Sequence, residues 1–172
     1  MYVFTIIGKK RSGKSVLTRE IAHRFADLYS GKMYFFDIAN EYELKFGLKN
    51  NYKNALDHKT FLDVVAPLKN SFIVFEEAAY YFDSQTSKDI RQKAAKMLQM
   101  SRHNNNVIVL IFHSIADLPS FIYSRIDYLA LFKTNDTPRA LGKLSLNEDF
   151  VSVYESVREN PDKHYFEVLD VT

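Results

Sequence analysis

The chain contains no cysteine among its 172 residues. Disulfides, zinc–thiolate sites and thiol nucleophiles are therefore excluded, and a reducing compartment suits it. Long hydrophobic runs are also missing. The longest, Val107 to Phe112, is far short of the roughly 20 apolar residues that cross a bilayer. The N-terminus opens directly on a strand-like segment, with no basic leader or cleavage site. Internal repeats, low-complexity tracts and linkers are absent. Charge of one sign is lacking too: the formal net charge is +2, so any basic footprint must be local. These absences point to a cytoplasmic protein with no membrane span and one domain over residues 1–172.

What is present is core material. Hydrophobic residues make up 47% and charged residues 26%, an ordinary globular balance. The 14 Phe and 11 Tyr fall within strand and helix patterns, which assigns them to packing. Five runs are rich in β-branched and aromatic residues: Tyr2–Ile7, Met33–Ile38, Phe72–Phe75, Val107–Phe112 and Tyr128–Phe132. They are nearly continuous rather than alternating, as strands buried on both faces are. Helical spacing lies between them: Leu17, Ile21, Phe25 and Leu28 with Gly31 as a stop, then Phe61, Leu62, Val65 and Leu68 around Pro67, then Ile90, Ala94 and Met97. This alternation predicts an α/β fold, a mostly parallel sheet between two helical layers. The core covers about residues 2–133. After the turn signal Asn135-Asp136-Thr137-Pro138, a C-terminal helix and strand are expected over 147–170. There Asn147 caps a helix carrying Phe150, Val153 and Val157, and His164–Leu169 forms the strand.

Gly8-Lys9-Lys10-Arg11-Ser12-Gly13-Lys14-Ser15 fits the phosphate-loop pattern G-x-x-x-x-G-K-[ST]. Glycines let the chain turn so that its amides converge on phosphate oxygens, and the following helix points its positive end at them. The nucleotide is expected to contact Gly8 through Val16. Lys14 then reaches the β- and γ-phosphates of ATP, and the Ser15 hydroxyl binds Mg²⁺.

The third strand ends in Phe75-Glu76-Glu77. Carboxylates at the carboxyl end of such a strand lie beside the phosphate loop. Glu76 is assigned to the metal and Glu77 to the attacking water. The commoner pair is Asp-Glu, so Glu76 is a departure, and Asp37 at the end of the second strand is a competing metal candidate. The fourth strand ends in Phe112-His113-Ser114, where a polar donor senses the γ-phosphate. His113 is the first choice and Ser114 the second; a capping role for Ser114 is the alternative. A helix from Ser87 to Arg102 would gather Lys88, Arg91 and Arg102 on one basic face. That face suits a neighbouring subunit's phosphate or a DNA backbone, or is simply solvated.

Several blocks together resemble the FtsK–HerA superfamily of P-loop motors, especially viral genome-packaging ATPases. They are Ile7 to Ser15, Phe36-Asp37 with Glu41, Ile73 to Ala78, Ser101-Arg102-His103 leading into Val107–Ser114, and Leu118-Pro119 through Arg125-Ile126-Asp127-Tyr128 to Lys133. Zonular-occludens-toxin-like ATPases of filamentous phages are similar too. The resemblance implies a P-loop NTPase sandwich of the additional-strand, catalytic-Glu type. It implies ATP hydrolysis and a homo-oligomeric ring, hexamer or pentamer, that moves DNA through backbone contacts. A capsid vertex or portal protein is an implied partner, in the host cytoplasm or on the virion. Arg102 becomes the finger acting in trans, with Arg125 second. The chain has His113-Ser114 where many relatives have Thr-Gln. Lys45 to Lys53, with Lys49, and the loop Asp83–Lys88 are candidate channel segments. A small-molecule P-loop kinase and a non-enzymatic nucleotide switch are the alternatives; no Arg-rich lid is visible, and Glu77 suits hydrolysis better than transfer.

Overall fold

The computed structural model describes residues 2–29, 32–37, 42, 51–53, 58–142 and 148–171. One sheet of seven strands organises them, in the order β3-β2-β4-β5-β1-β6-β7. The strands are β1 (Val3–Ile7), β2 (Met33–Asp37), β3 (Asn51–Lys53), β4 (Phe72–Phe75), β5 (Val107–Phe112), β6 (Tyr128–Phe132) and β7 (Phe166–Asp170). The first six run parallel; β7 is antiparallel to β6. Strand β5, inserted between β1 and β4, is the additional strand that the resemblance implies. All six of its residues are buried, which its unbroken Val-Ile-Val-Leu-Ile-Phe run requires of a central strand.

Among the described residues, helices cover the two faces unequally. On one face lies α1 (Lys14–Phe25), whose Leu17, Ile21, Ala22 and Phe25 pack on Phe35, Phe72, Val109 and Ile111. On the other lie α2 (His58–Val65), α3 (Ala78–Phe82), α4 (Lys88–Met100), α5 (Ser120–Tyr123), α6 (Pro138–Leu141) and α7 (Glu148–Glu159). Phe61, Leu62, Val65, Ile90, Ala94, Met97, Phe150 and Val157 are buried as their spacing predicts. Ser87 caps α4, accepting from the Ile90 amide at 3.5 Å.

Four expectations change. Leu28 is 75% exposed, because α1 ends at Phe25 and the helical spacing no longer applies. The last strand is Phe166–Asp170 rather than His164–Leu169. The end of the Lys45–Lys53 segment forms β3; Lys45 and Lys49, like Ile38, Glu41, Gly31 and Asn147, lie outside the described residues. Helix α4 stops at Met100, so Arg102 does not continue a face with Lys88 and Arg91.

Arg102 instead serves the amino edge of the sheet. Its guanidinium pairs with Asp127, which is 3% exposed and also accepts the Val3 amide at 2.7 Å. Asn106, fully buried, likewise accepts the Ser71 amide at 3.0 Å and donates to the Leu68 carbonyl at 2.9 Å. Strand starts lack ladder partners, and these two side chains supply them. Asp127→Ala is expected to cost about 2–3 kcal/mol of stability, since it strands a buried amide and removes a charged acceptor. Arg102→Ala, whose side chain is 70% exposed, is expected to cost under about 1 kcal/mol. Urea denaturation of the two variants checks the asymmetry.

Candidate nucleotide site

The chain leaves β1 at the carboxyl edge, still tied to both neighbours. The Gly8 amide donates to the Phe112 carbonyl at 3.2 Å and the Lys9 amide to the Lys133 carbonyl at 2.9 Å. It then turns sharply enough to enter α1 only five residues later. Arg11 and Gly13 both take positive φ, 64° and 107°, and Gly13 is the N-cap of α1. A Cβ on Gly8 would lie 2.6 Å from the Phe132 Cβ and 2.7 Å from the Ser12 Oγ, so both motif glycines are sterically required. Phe132, stacked on Phe166 with centroids 4.7 Å apart, supports the loop from below.

Lys14 is 6% exposed, and its ammonium curls back to donate to the carbonyls of Gly8 (2.7 Å) and Lys9 (2.9 Å). The positive end of α1 and this buried cation thus face the same concavity. The Ser12 hydroxyl, also buried, has no hydrogen-bond partner among the described residues. Polyphosphate oxygens match this array of amides, ammonium and hydroxyl.

The acidic pair lies in the turn just past β4, and Glu77 is the N-cap of α3. Val74 faces α1, whereas Phe75 faces the opposite layer. The Glu76 backbone amide still donates to the Phe36 carbonyl at 3.3 Å, at the end of β2. Glu77 meets His113, Nε2 to Oε1 3.5 Å, across the tips of β4 and β5. Both side chains are partly open to solvent, as groups that handle water must be.

Tyr42 is fully buried, and the Glu76 carboxylate acts on its hydroxyl electrostatically. Burial first, and then the Glu76 carboxylate, push its pKa well above the usual tyrosine value, so it stays protonated. Asp37 anchors it by accepting the Tyr42 amide at 2.8 Å. Asp37 therefore supports a neighbouring segment, the alternative to its candidacy as metal ligand. Ser15 and Glu76 both offer oxygen. That donor chemistry suits Mg²⁺, which takes one or two protein oxygens and completes its shell with phosphates and water.

The remaining candidates separate by edge. Ser114 caps the 3₁₀ turn Ile115–Asp117: its oxygen accepts the Ala116 amide at 3.0 Å and its proton goes to Asp136. Arg102 and Arg125 lie at the starts of β5 and β6, on the far edge of the sheet from Lys14. Arg125 bonds the Phe121 carbonyl and lies over the Phe121 ring, 5.5 Å from its centroid. In the Asp83–Lys88 loop, the Gln85 amide donates to Asp83 at 2.6 Å. Sequence reasoning missed Tyr42, Thr18 and His164. The His164 ring nitrogen lies 3.2 Å from the Ser12 carbonyl, bringing the C-terminal arm against the phosphate loop. No local pattern marks a contact between residues so far apart in the chain. Among the described residues, no helix is long and apolar enough to cross a membrane.

Solved structures with this fold include the genome-packaging NTPase B204 of Sulfolobus turreted icosahedral virus 2 in complex with ATPγS. The two are 18% identical, with TM-score 0.74 over 99% of this chain and 92% of that one. The DNA-packaging ATPase B204 of Sulfolobus turreted icosahedral virus is 19% identical, with TM-score 0.76 over 99% and 92%. The KaiC-like protein PH0186 of Pyrococcus horikoshii OT3 is more distant, 12% identical with TM-score 0.51 over 77% and 71%. No curated protein sequence matches the chain. The sequence profile of one family, zonular occludens toxin (Zot), matches residues 3–142. That span holds the phosphate loop, the acidic pair and the Asp127 anchor, and the chain belongs to the Zot family.

Proposed function

We propose that the chain is an ATP- and Mg²⁺-dependent motor ATPase that moves DNA, in viral genome packaging. The observation that carries this reading is the buried Lys14 ammonium in the phosphate loop, with Glu77 against His113 at the tips of β4 and β5. A phosphate loop alone suits switches and kinases. A carboxylate next to it with access to water suits hydrolysis. Lys14 exchanges the two carbonyls it holds for the β- and γ-phosphates, while Ser15 and Glu76 hold the metal. When bound, that ion supplies charge neutralisation between the phosphates. Glu77 orients the attacking water, and His113 reports the state of the γ-phosphate through its contact with Glu77. Ser114, committed to Asp136, leaves the sensing role to His113.

Arg102 cannot serve the site of its own subunit from the far edge of the sheet, so it acts on the next subunit of a ring. Arg125 stands on the same edge as a second choice. The likeness in fold to packaging ATPases of turreted icosahedral viruses supports DNA as the cargo, taken by its backbone, and a capsid vertex or portal as the docking partner. Membership of the Zot family favours a second reading on the same chemistry, a phage morphogenesis or export ATPase. Either role places the protein in the host cytoplasm or on the virion.

Lys14→Ala and Glu77→Gln are each expected to lower ATP turnover by about 100-fold or more, and Glu77→Gln to keep nucleotide binding, as steady-state rates and calorimetry read out. Arg102→Ala should lose turnover while binding ATP normally. Mixed with Glu77→Gln, which is itself inactive but carries Arg102, the Arg102→Ala variant should regain part of its turnover; mixtures that stay inactive contradict a finger in trans. DNA should accelerate hydrolysis by a packaging motor, whereas a rate indifferent to DNA favours the export reading.

A further inference from the structure

We propose that the cleft between the phosphate loop and α7 holds the nucleoside half of the nucleotide, with Arg158 against the base. The inference rests on the nucleotide-site reading above and extends it to a part of the chain that the reading does not use. Sheet order sets the direction. The acidic pair follows β4 and His113 follows β5, on one side of β1; β6 and β7 lie on the other. A triphosphate with its γ end at Glu77 therefore crosses the loop with its α end toward β6. At that end an open cleft of about 480 Å³ lies beside Lys9, within the roughly 300–1,000 Å³ of small-molecule sites.

The cleft is held open by its own frame. Its floor is apolar, Phe132 and Val157, each 2% exposed. Its walls are tied at three points. The Lys9 amide donates to the Lys133 carbonyl at 2.9 Å, the Lys133 ammonium bonds the Asn160 carbonyl just past α7, and the Tyr154 hydroxyl donates to the Asp136 carbonyl at 2.8 Å. The Asp136 carboxylate is committed to the Ser114 hydroxyl and to the Ile115 amide at 2.8 Å. The Lys9 ammonium, the Asn135 side-chain amide and the Arg158 guanidinium also line the cleft, and they have no hydrogen-bond or ion-pair partner among the described residues. A nucleoside matches this set. A flat base stacks on a guanidinium plane and covers an apolar floor, and a ribose and its α-phosphate take donors such as Asn135 and Lys9. A free anion would leave the floor unused. Arg158 lies beyond residues 3–142 of the family match, so the base contact comes from outside the matched span.

The test is calorimetric binding of ATPγS and of inorganic tripolyphosphate, both in excess Mg²⁺, to wild type, Arg158→Ala and Arg158→Lys. Wild type is expected to bind ATPγS about 10-fold or more tighter than tripolyphosphate, the nucleoside supplying the difference. Arg158→Ala is expected to raise the Kd for ATPγS about five-fold or more and to leave that for tripolyphosphate within about two-fold, since an exposed charge at this remove is screened. Arg158→Lys keeps the charge without the plane and is expected to share the loss. Equal losses with both ligands, no loss in Arg158→Ala, or wild-type affinity in Arg158→Lys overturn the proposal. Arg158 is exposed, so both variants are expected to fold, as melting curves check. Should either fail to, the wild-type comparison still decides. A wild type that binds both ligands alike overturns the cleft as a nucleoside site; one that binds neither refutes the nucleotide site itself.

Discussion

A positive charge buried at the end of a sheet constrains everything around it. Lys14 sits at the first turn of α1, in a loop too tight for side chains at Gly8 and Gly13, with its ammonium against two carbonyls. Removing a charge from water costs several kcal/mol unless hydrogen bonds or opposite charge replace the solvent. The rest of the carboxyl edge is arranged to offer that replacement to a polyphosphate. The loop leads directly into the amino end of α1, and Glu76 and Glu77 follow β4 at the same edge of the sheet. The phosphate loop is tied to the ends of β5 and β6 through the Gly8 and Lys9 amides, which places it at the carboxyl edge of the sheet.

The opposite edge follows from the same parallel topology. Every parallel strand begins where Arg102, Asn106 and Asp127 lie, far from the phosphates. Asp127 and Asn106 answer a structural need there, the unpaired amides of Val3 and Ser71. Arg102 is held by Asp127 yet remains largely exposed. That combination gives a guanidinium a defined position on the surface, the condition for presenting it to another subunit.

Much of this was legible in the sequence because it depends on short-range patterns. Unbroken apolar runs located β1, β2, β4, β5 and β6 to within a residue, and the spacing of Ile90, Ala94 and Met97 located α4. The phosphate loop and the acidic pair are local motifs whose geometry travels with them. What escaped depends on contacts between distant segments. Asp136 recruits Ser114 as a cap, Asp127 draws Arg102 off its helical face, and His164 reaches Ser12 across 152 positions. Strand β3, three residues of mixed polarity, carries no period to detect. Tyr42 reads as one more aromatic among 11 tyrosines until the fold buries it against Phe35 with its amide on Asp37.

The central claim is that the turn over residues 8–15 holds a triphosphate with the tip of β4 completing its metal site. A crystal structure with ATPγS and Mg²⁺ tests it most directly. The account predicts phosphate oxygens on the amides of the loop and on the Lys14 ammonium, with the metal between Ser15 and Glu76. A nucleotide bound elsewhere, or a metal that ignores both residues, would contradict it.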